Sequence, residues 1–154
     1  MVAAVTSARP TWHEYFLDIA TLVATRGTCP RKQVGTLLVQ DNRIIATGYN
    51  GSIPRMPHCT DGGCDMVDGH CVRTNHAELN ALLQAARYGV STVGASAYCT
   101  LEPCWPCFRA LVTAGVTKIY FKELYARDPR VDAVLAVRDG LLLRHVVAAD
   151  SPVS

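Results

Sequence analysis

The chain has 154 residues, enough for one domain with a substantial core and too few for two domains of ordinary size, so a single domain over 1–154 is expected. Its 15 basic and 13 acidic residues nearly cancel, and no run of Lys or Arg forms the charged stripe that duplex or transfer-RNA binders use, which argues against a nucleic-acid partner. Apolar residues make up 49% of the chain, yet no apolar run approaches the roughly 20 residues needed to span a bilayer, and 1–10 lacks the apolar segment of an export signal; a soluble, cytoplasmic protein is expected, loosely ordered at 1–10 and 150–154.

Along 12–24 the residues Trp12, Phe16, Ile19, Ala20 and Val23 recur at helical spacing behind Thr11, a good N-cap, and predict a first helix packed on a sheet. Two short apolar runs, 34–39 and 44–48, flank the turn composition Gln40-Asp41-Asn42-Arg43 and predict an antiparallel hairpin. Residues 52–74 show no periodicity and carry Pro, Gly, Cys and His; a loop this long inside a compact domain needs something to order it. A second helix is predicted over 76–88, with Leu79, Leu82, Leu83 and Ala86 on its buried face and Gly89 as terminator. A strand at 95–100, a helix at 104–114, a strand at 117–121, a helix at 131–137 and a strand at 141–147 follow. Alternation of strands and helices after the hairpin predicts a mixed sheet covered by helices on both faces.

Two segments carry the chemistry. Thr74-Asn75-His76-Ala77-Glu78 is answered by Glu102-Pro103-Cys104-Trp105-Pro106-Cys107, which together supply three zinc donors, His76, Cys104 and Cys107, and one carboxylate, Glu78, left free for proton transfer. Three protein ligands with a fourth position left to water suit a catalytic zinc better than a closed structural one. Each pair sits in the first turn of a predicted helix, where unpaired N–H groups and the positive helix end favour thiolates; Pro103 and Pro106 cost no hydrogen bond there. The chemistry expected is hydrolytic deamination, with water entering, ammonia leaving, and Glu78 moving the protons. Cys104 and Cys107 alone would also suit a redox dithiol, and the whole set a zinc-stabilised binding module without turnover; a structural site, however, has no use for a free carboxylate two residues from a ligand. The seven cysteines are odd in number and cluster with histidines, which favours metal over disulfides.

Four motifs in order, Thr28-Cys29-Pro30-Arg31-Lys32-Gln33-Val34-Gly35, Gly48-Tyr49-Asn50-Gly51, His76-Ala77-Glu78-Leu79-Asn80-Ala81 and Pro103-Cys104-Trp105-Pro106-Cys107, make the chain resemble the deoxycytidylate deaminases over about 12–147. The resemblance implies a three-layer α/β/α fold on a mixed five-stranded sheet, conversion of dCMP to dUMP for thymidylate synthesis, and a homo-oligomer. It also implies a catalytic zinc on His76, Cys104 and Cys107 with Glu78 as proton shuttle, and substrate contacts at Asn50, Arg31 and Tyr125. Lys32, Arg55 and Arg73 are further cations for the phosphate. Some members carry a second, structural zinc held by a cysteine of the first motif and residues of the long loop. Here Cys29, Cys59, Cys64 and Cys71 are the cysteines left for it once Cys104, Cys107 and the mid-strand Cys99 are set aside, with His58 and His70 as substitutes. Some members respond to dCTP and dTTP near the Gly48 to Gly51 turn, which makes these nucleotides the candidate effectors. Nucleoside-specific cytidine deaminases usually present Cys-Ala-Glu where this chain has His76-Ala77-Glu78. Guanine deaminases and transfer-RNA adenosine deaminases share the His-Ala-Glu and are the nearest rivals.

Overall fold

The computed structural model describes residues 8–147; apart from residues 8–10, the loosely ordered ends expected at 1–10 and 150–154 lie outside the described residues. Helix α1 spans Trp12–Ala24. Thr11 Oγ1 accepts from the Glu14 N–H at 3.2 Å while Glu14 Oε2 accepts from the Thr11 N–H at 2.7 Å, a capping box that satisfies two otherwise unpaired donors. Strands β1 (Gly35–Gln40) and β2 (Arg43–Tyr49) form the expected hairpin. Asp41 and Asn42 take φ of 50° and 57°, the left-handed pair of a two-residue turn whose twist matches the strands.

The long loop carries more structure than its composition suggests. It holds β3 (Gly51–Ser52), the single-turn α2 (Cys59–Gly62), the miniature hairpin β4 (Met66–Val67) and β5 (His70–Cys71), and β6 (Thr74–Asn75), which pairs with β3. Then come α3 (Ala77–Arg87), β7 (Ser96–Leu101), α4 (Trp105–Thr113), β8 (Lys118–Glu123), α5 (Pro129–Val137) and β9 (Leu142–His145).

The main sheet has the order β2-β1-β7-β8-β9, antiparallel across β2, β1 and β7 and parallel across β7, β8 and β9. From β7 to β9 the strands add in one direction, so right-handed crossovers bring α4 and α5 to the same face. Side chains alternate accordingly. Leu37, Val39, Tyr98 and Tyr120 pack with Phe16, Leu17 and Ala20 of α1, while Leu38, Ala97, Cys99, Ile119 and Phe121 pack with Ala81 and Ala85 of α3, Phe108 and Leu111 of α4 and Val131 of α5. This is the three-layer α/β/α arrangement on a mixed five-stranded sheet, and among the described residues no helix is long and apolar enough to cross a membrane.

One expectation is corrected. The buried face of α3 is Ala77, Glu78, Ala81 and Ala85, whereas Leu79 and Leu83 are 37% and 48% exposed and Ala86 faces solvent. Close approach is the reason. A Cβ on Gly48 of β2 would stand 2.2 Å from the Ala77 carbonyl oxygen and 2.4 Å from the Ala81 nitrogen, so helix backbone lies directly on strand backbone and only the smallest side chains fit between.

Candidate active site

His76 and Cys104 are the N-cap residues of α3 and α4, and Cys107 sits one turn into α4. Two helix starts converge. The Sγ atoms of Cys104 and Cys107 each lie 3.4 Å from His76 Nδ1, and the three donor atoms fall within 4.8 Å of one another. One imidazole and two thiols of this spacing make a donor set that fits zinc with a position to spare. A hydrogen bond from Cys107 brings the Cys104 thiol down to about 4, so the pair gives up its first proton readily, as metal ligation requires.

Glu78, two residues into α3, is 4% exposed, and burial raises its carboxyl above the ordinary range. Loss of solvation outweighs the backbone N–H that stabilises its anion. A carboxyl raised by burial holds a proton more readily than a free one, the direction a proton shuttle needs.

His76, Glu78 and Cys104 line a cavity of about 500 Å³, open to solvent. Its walls include all three expected substrate contacts, Arg31, Asn50 and Tyr125. Asn50 is buried, its Oδ1 accepting from the Val34 N–H at 2.9 Å and its Nδ2 donating to the Lys32 carbonyl at 2.6 Å; one Nδ2 hydrogen remains to offer. Arg31 is exposed at the wall, and its one side-chain hydrogen bond among the described residues is to the Met66 sulfur, at 3.7 Å. Lys32 also lines the cavity but is engaged by Glu123 at 2.6 Å. Arg55 and Arg73 are not among the lining residues.

Of the four cysteines expected at a second metal, the structure groups three: Cys59, Cys64 and Cys71 place their sulfurs within 4.8 Å of one another. Burial raises the Cys71 thiol, but backbone hydrogen bonds from Arg73 and Asp65 outweigh it and bring Cys71 down to about 6. Cys29 stands outside this group and lines the cavity instead. His58, immediately before Cys59, has a buried Nδ1 with no hydrogen-bond partner.

Residues 10–123 match the family described as the cytidine and deoxycytidylate deaminase zinc-binding region. The chain belongs to this family. It is 48% identical over 121 residues to ComE operon protein 2 of Bacillus subtilis, covering 79% of this chain and 64% of that one. It is 37% identical over 128 residues to the deoxycytidylate deaminase of Mycobacterium phage D29, covering 75% of this chain and 98% of the phage protein. A crystal structure of dCMP deaminase from the cyanophage S-TIM5, in complex with dCMP and dUMP, superposes with a TM-score of 0.76 at 28% identity, over 91% of this chain and all of that one. The chain spans about half the length of the Saccharomyces cerevisiae deoxycytidylate deaminase that it matches, 47% of it.

As a cytidine and deoxycytidylate deaminase family member, this chain carries cavity residues that sequence reasoning passed over. Glu102 is 3% exposed, accepting from the Tyr125 N–H at 3.2 Å and from Arg127 Nε at 2.5 Å. A charged residue directly after an apolar strand and before Pro103-Cys104 was the signal available. Glu123 had none, since its link to Lys32 joins residues 91 positions apart.

Proposed function

We propose that this chain hydrolyses dCMP to dUMP and ammonia, with zinc on His76, Cys104 and Cys107. The observation that carries the reading is a buried Glu78, its carboxyl raised by burial, lining the same cavity as His76 and Cys104 of a three-donor zinc set that leaves a coordination position open. Bound there, zinc supplies the Lewis acidity that makes water nucleophilic near neutral pH. Glu78 accepts one proton of the attacking water and passes it to the ring nitrogen, then carries the second, from the hydroxyl newly bonded to the ring carbon, to the departing amine; the C–N bond breaks, that hydroxyl oxygen becomes the carbonyl, and ammonia leaves. Asn50, its amide fixed by Lys32 and Val34, offers its remaining N–H to the sugar or base. Arg31, a cavity-wall cation without a carboxylate partner among the described residues, is placed for the phosphate. Tyr125 closes the base side of the pocket.

We assign a second, structural zinc to Cys59, Cys64 and Cys71, and take His58 as its fourth donor because its Nδ1 is buried without a hydrogen-bond partner one residue before Cys59, although, like Cys29, it lies outside the three-sulfur group. Bound there, the metal orders the long loop. The exposed apolar face of α3, with Leu79 and Leu83, supports self-association into a homo-oligomer. Cytoplasmic residence and a place in pyrimidine nucleotide supply follow from the same reading.

The test is ammonia release by the zinc-loaded protein from dCMP beside deoxycytidine, CMP, guanine and transfer RNA, with and without dCTP and dTTP. Preference for dCMP over deoxycytidine is the expected result. Glu78→Gln retains zinc and loses turnover by about 10²–10⁴-fold. Ammonia release from guanine or from transfer-RNA adenosine in place of dCMP would transfer the site to another base, and a wild-type protein that holds zinc but releases no ammonia from any of them would leave a binding module.

A further inference from the structure

Glu102 has no part in the chemistry above, yet its burial demands an account. It lies between the end of β7 and Cys104, and both carboxylate oxygens point at the next strand's exit: one accepts from the Tyr125 N–H at 3.2 Å, the other from Arg127 Nε at 2.5 Å. Its own N–H donates to the Glu123 carbonyl at 2.8 Å. Arg127 extends the chain of contacts to Asp132 on α5 at 3.3 Å. Taking a carboxylate out of water is costly, and the cost is recovered only where its partners are held well. Here the partners belong to a stretch, 124–128, that has no helix or strand of its own, and whose Leu124 and Tyr125 line the cavity. The carboxylate therefore joins the turn bearing Cys104 to a wall that has no helix or strand of its own.

We propose that Glu102 and Arg127 are positioning residues that fasten the 124–127 wall to the metal-bearing turn and so set how tightly the nucleotide is held. Neither touches the reacting atoms. The substrate rests on the deaminase reading, whereas the fastening does not.

The test uses the zinc-loaded full chain with Glu102→Gln, Arg127→Gln and the double variant. KM for dCMP rises about tenfold or more while kcat stays within about threefold, the pattern of lost binding that is uniform through the reaction. The double variant costs less than the sum of the two single ones, because both changes break the same Glu102–Arg127 pair, while Arg127→Gln alone also loses Asp132. Amide hydrogen exchange across 123–127 becomes faster in both single variants, with no substrate present. Arg127→Lys, which keeps the charge but not the planar donor, serves in place of any Gln variant that does not fold. Unchanged exchange and unchanged KM overturn the proposal, as does a fall in kcat at constant KM. Faster exchange in a protein whose wild type never turns over dCMP upholds the fastening and overturns the substrate.

Discussion

Gly48→Ala is the sharpest test of how the fold places the catalytic groups. The added Cβ would sit 2.2 Å from the Ala77 carbonyl oxygen, 2.4 Å from the Ala81 nitrogen and 3.0 Å from the Ala81 Cα, where ordinary contact begins at 3.4 Å. All three are helix backbone, so no side-chain rotation relieves them and α3 must retreat by the order of an ångström. Overpacking of this kind costs about 1–3 kcal/mol. With a urea slope of about 1–3 kcal/mol per molar, the unfolding midpoint falls by roughly 1 M. The same movement carries His76 and Glu78, since both stand at the start of α3, and a misplacement of about 1 Å costs on the order of 10² in rate. Urea titration and ammonia release on matched, zinc-loaded samples read both effects. Ala81→Gly in the Gly48→Ala background restores neither, because the blocking atoms are main chain. Gly62→Ala is the comparison, since its Cβ meets nothing closer than 3.6 Å. A Gly48→Ala protein with wild-type stability and turnover would refute the claim that backbone contact dictates this glycine.

Cys71→Ser lowers zinc content from two ions per chain to one and speeds proteolysis within 52–74 while the His76 site keeps its metal; metal analysis showing one zinc in the wild type ends the two-site assignment. His13, with Nδ1 3.0 Å from the Tyr98 hydroxyl, has its pKa lowered below 6.5 by burial first and by Arg144 and Lys118 next. The unfolded chain then binds more protons than the folded one, so this contribution is present above 6.5 and is lost as pH falls through the lower folded value. Wild type therefore loses stability relative to His13→Gln as pH falls below 6.5, and parallel curves on the acid side of that value contradict it. Thr11→Ala removes the capping hydrogen bond of α1 and costs about 1 kcal/mol in chemical denaturation, with turnover unchanged; no loss of stability would show the cap to be idle.

Much of this molecule is written locally. Thr11 and the periodic residues after it delimit α1, the Asp41-Asn42 turn sets the hairpin, and the zinc donors announce themselves because a thiol or imidazole at a helix start is chemistry that three or four consecutive residues suffice to build. Leu79 and Leu83 of α3 misled, though Leu82 does pack on the core, because periodicity shows which residues share a face, not which face is buried; the choice fell to Gly48, a residue on another element. Cys29 resembles its fellow loop cysteines in sequence, yet the chain path leaves its sulfur outside their group and at the cavity. Glu102 shows the same division, since its neighbours in sequence are the zinc turn and its partners in space are Tyr125 and Arg127. Side-chain chemistry at short range is thus carried by the sequence alone, while burial, and the pairing that burial compels, is decided by which distant backbone arrives alongside.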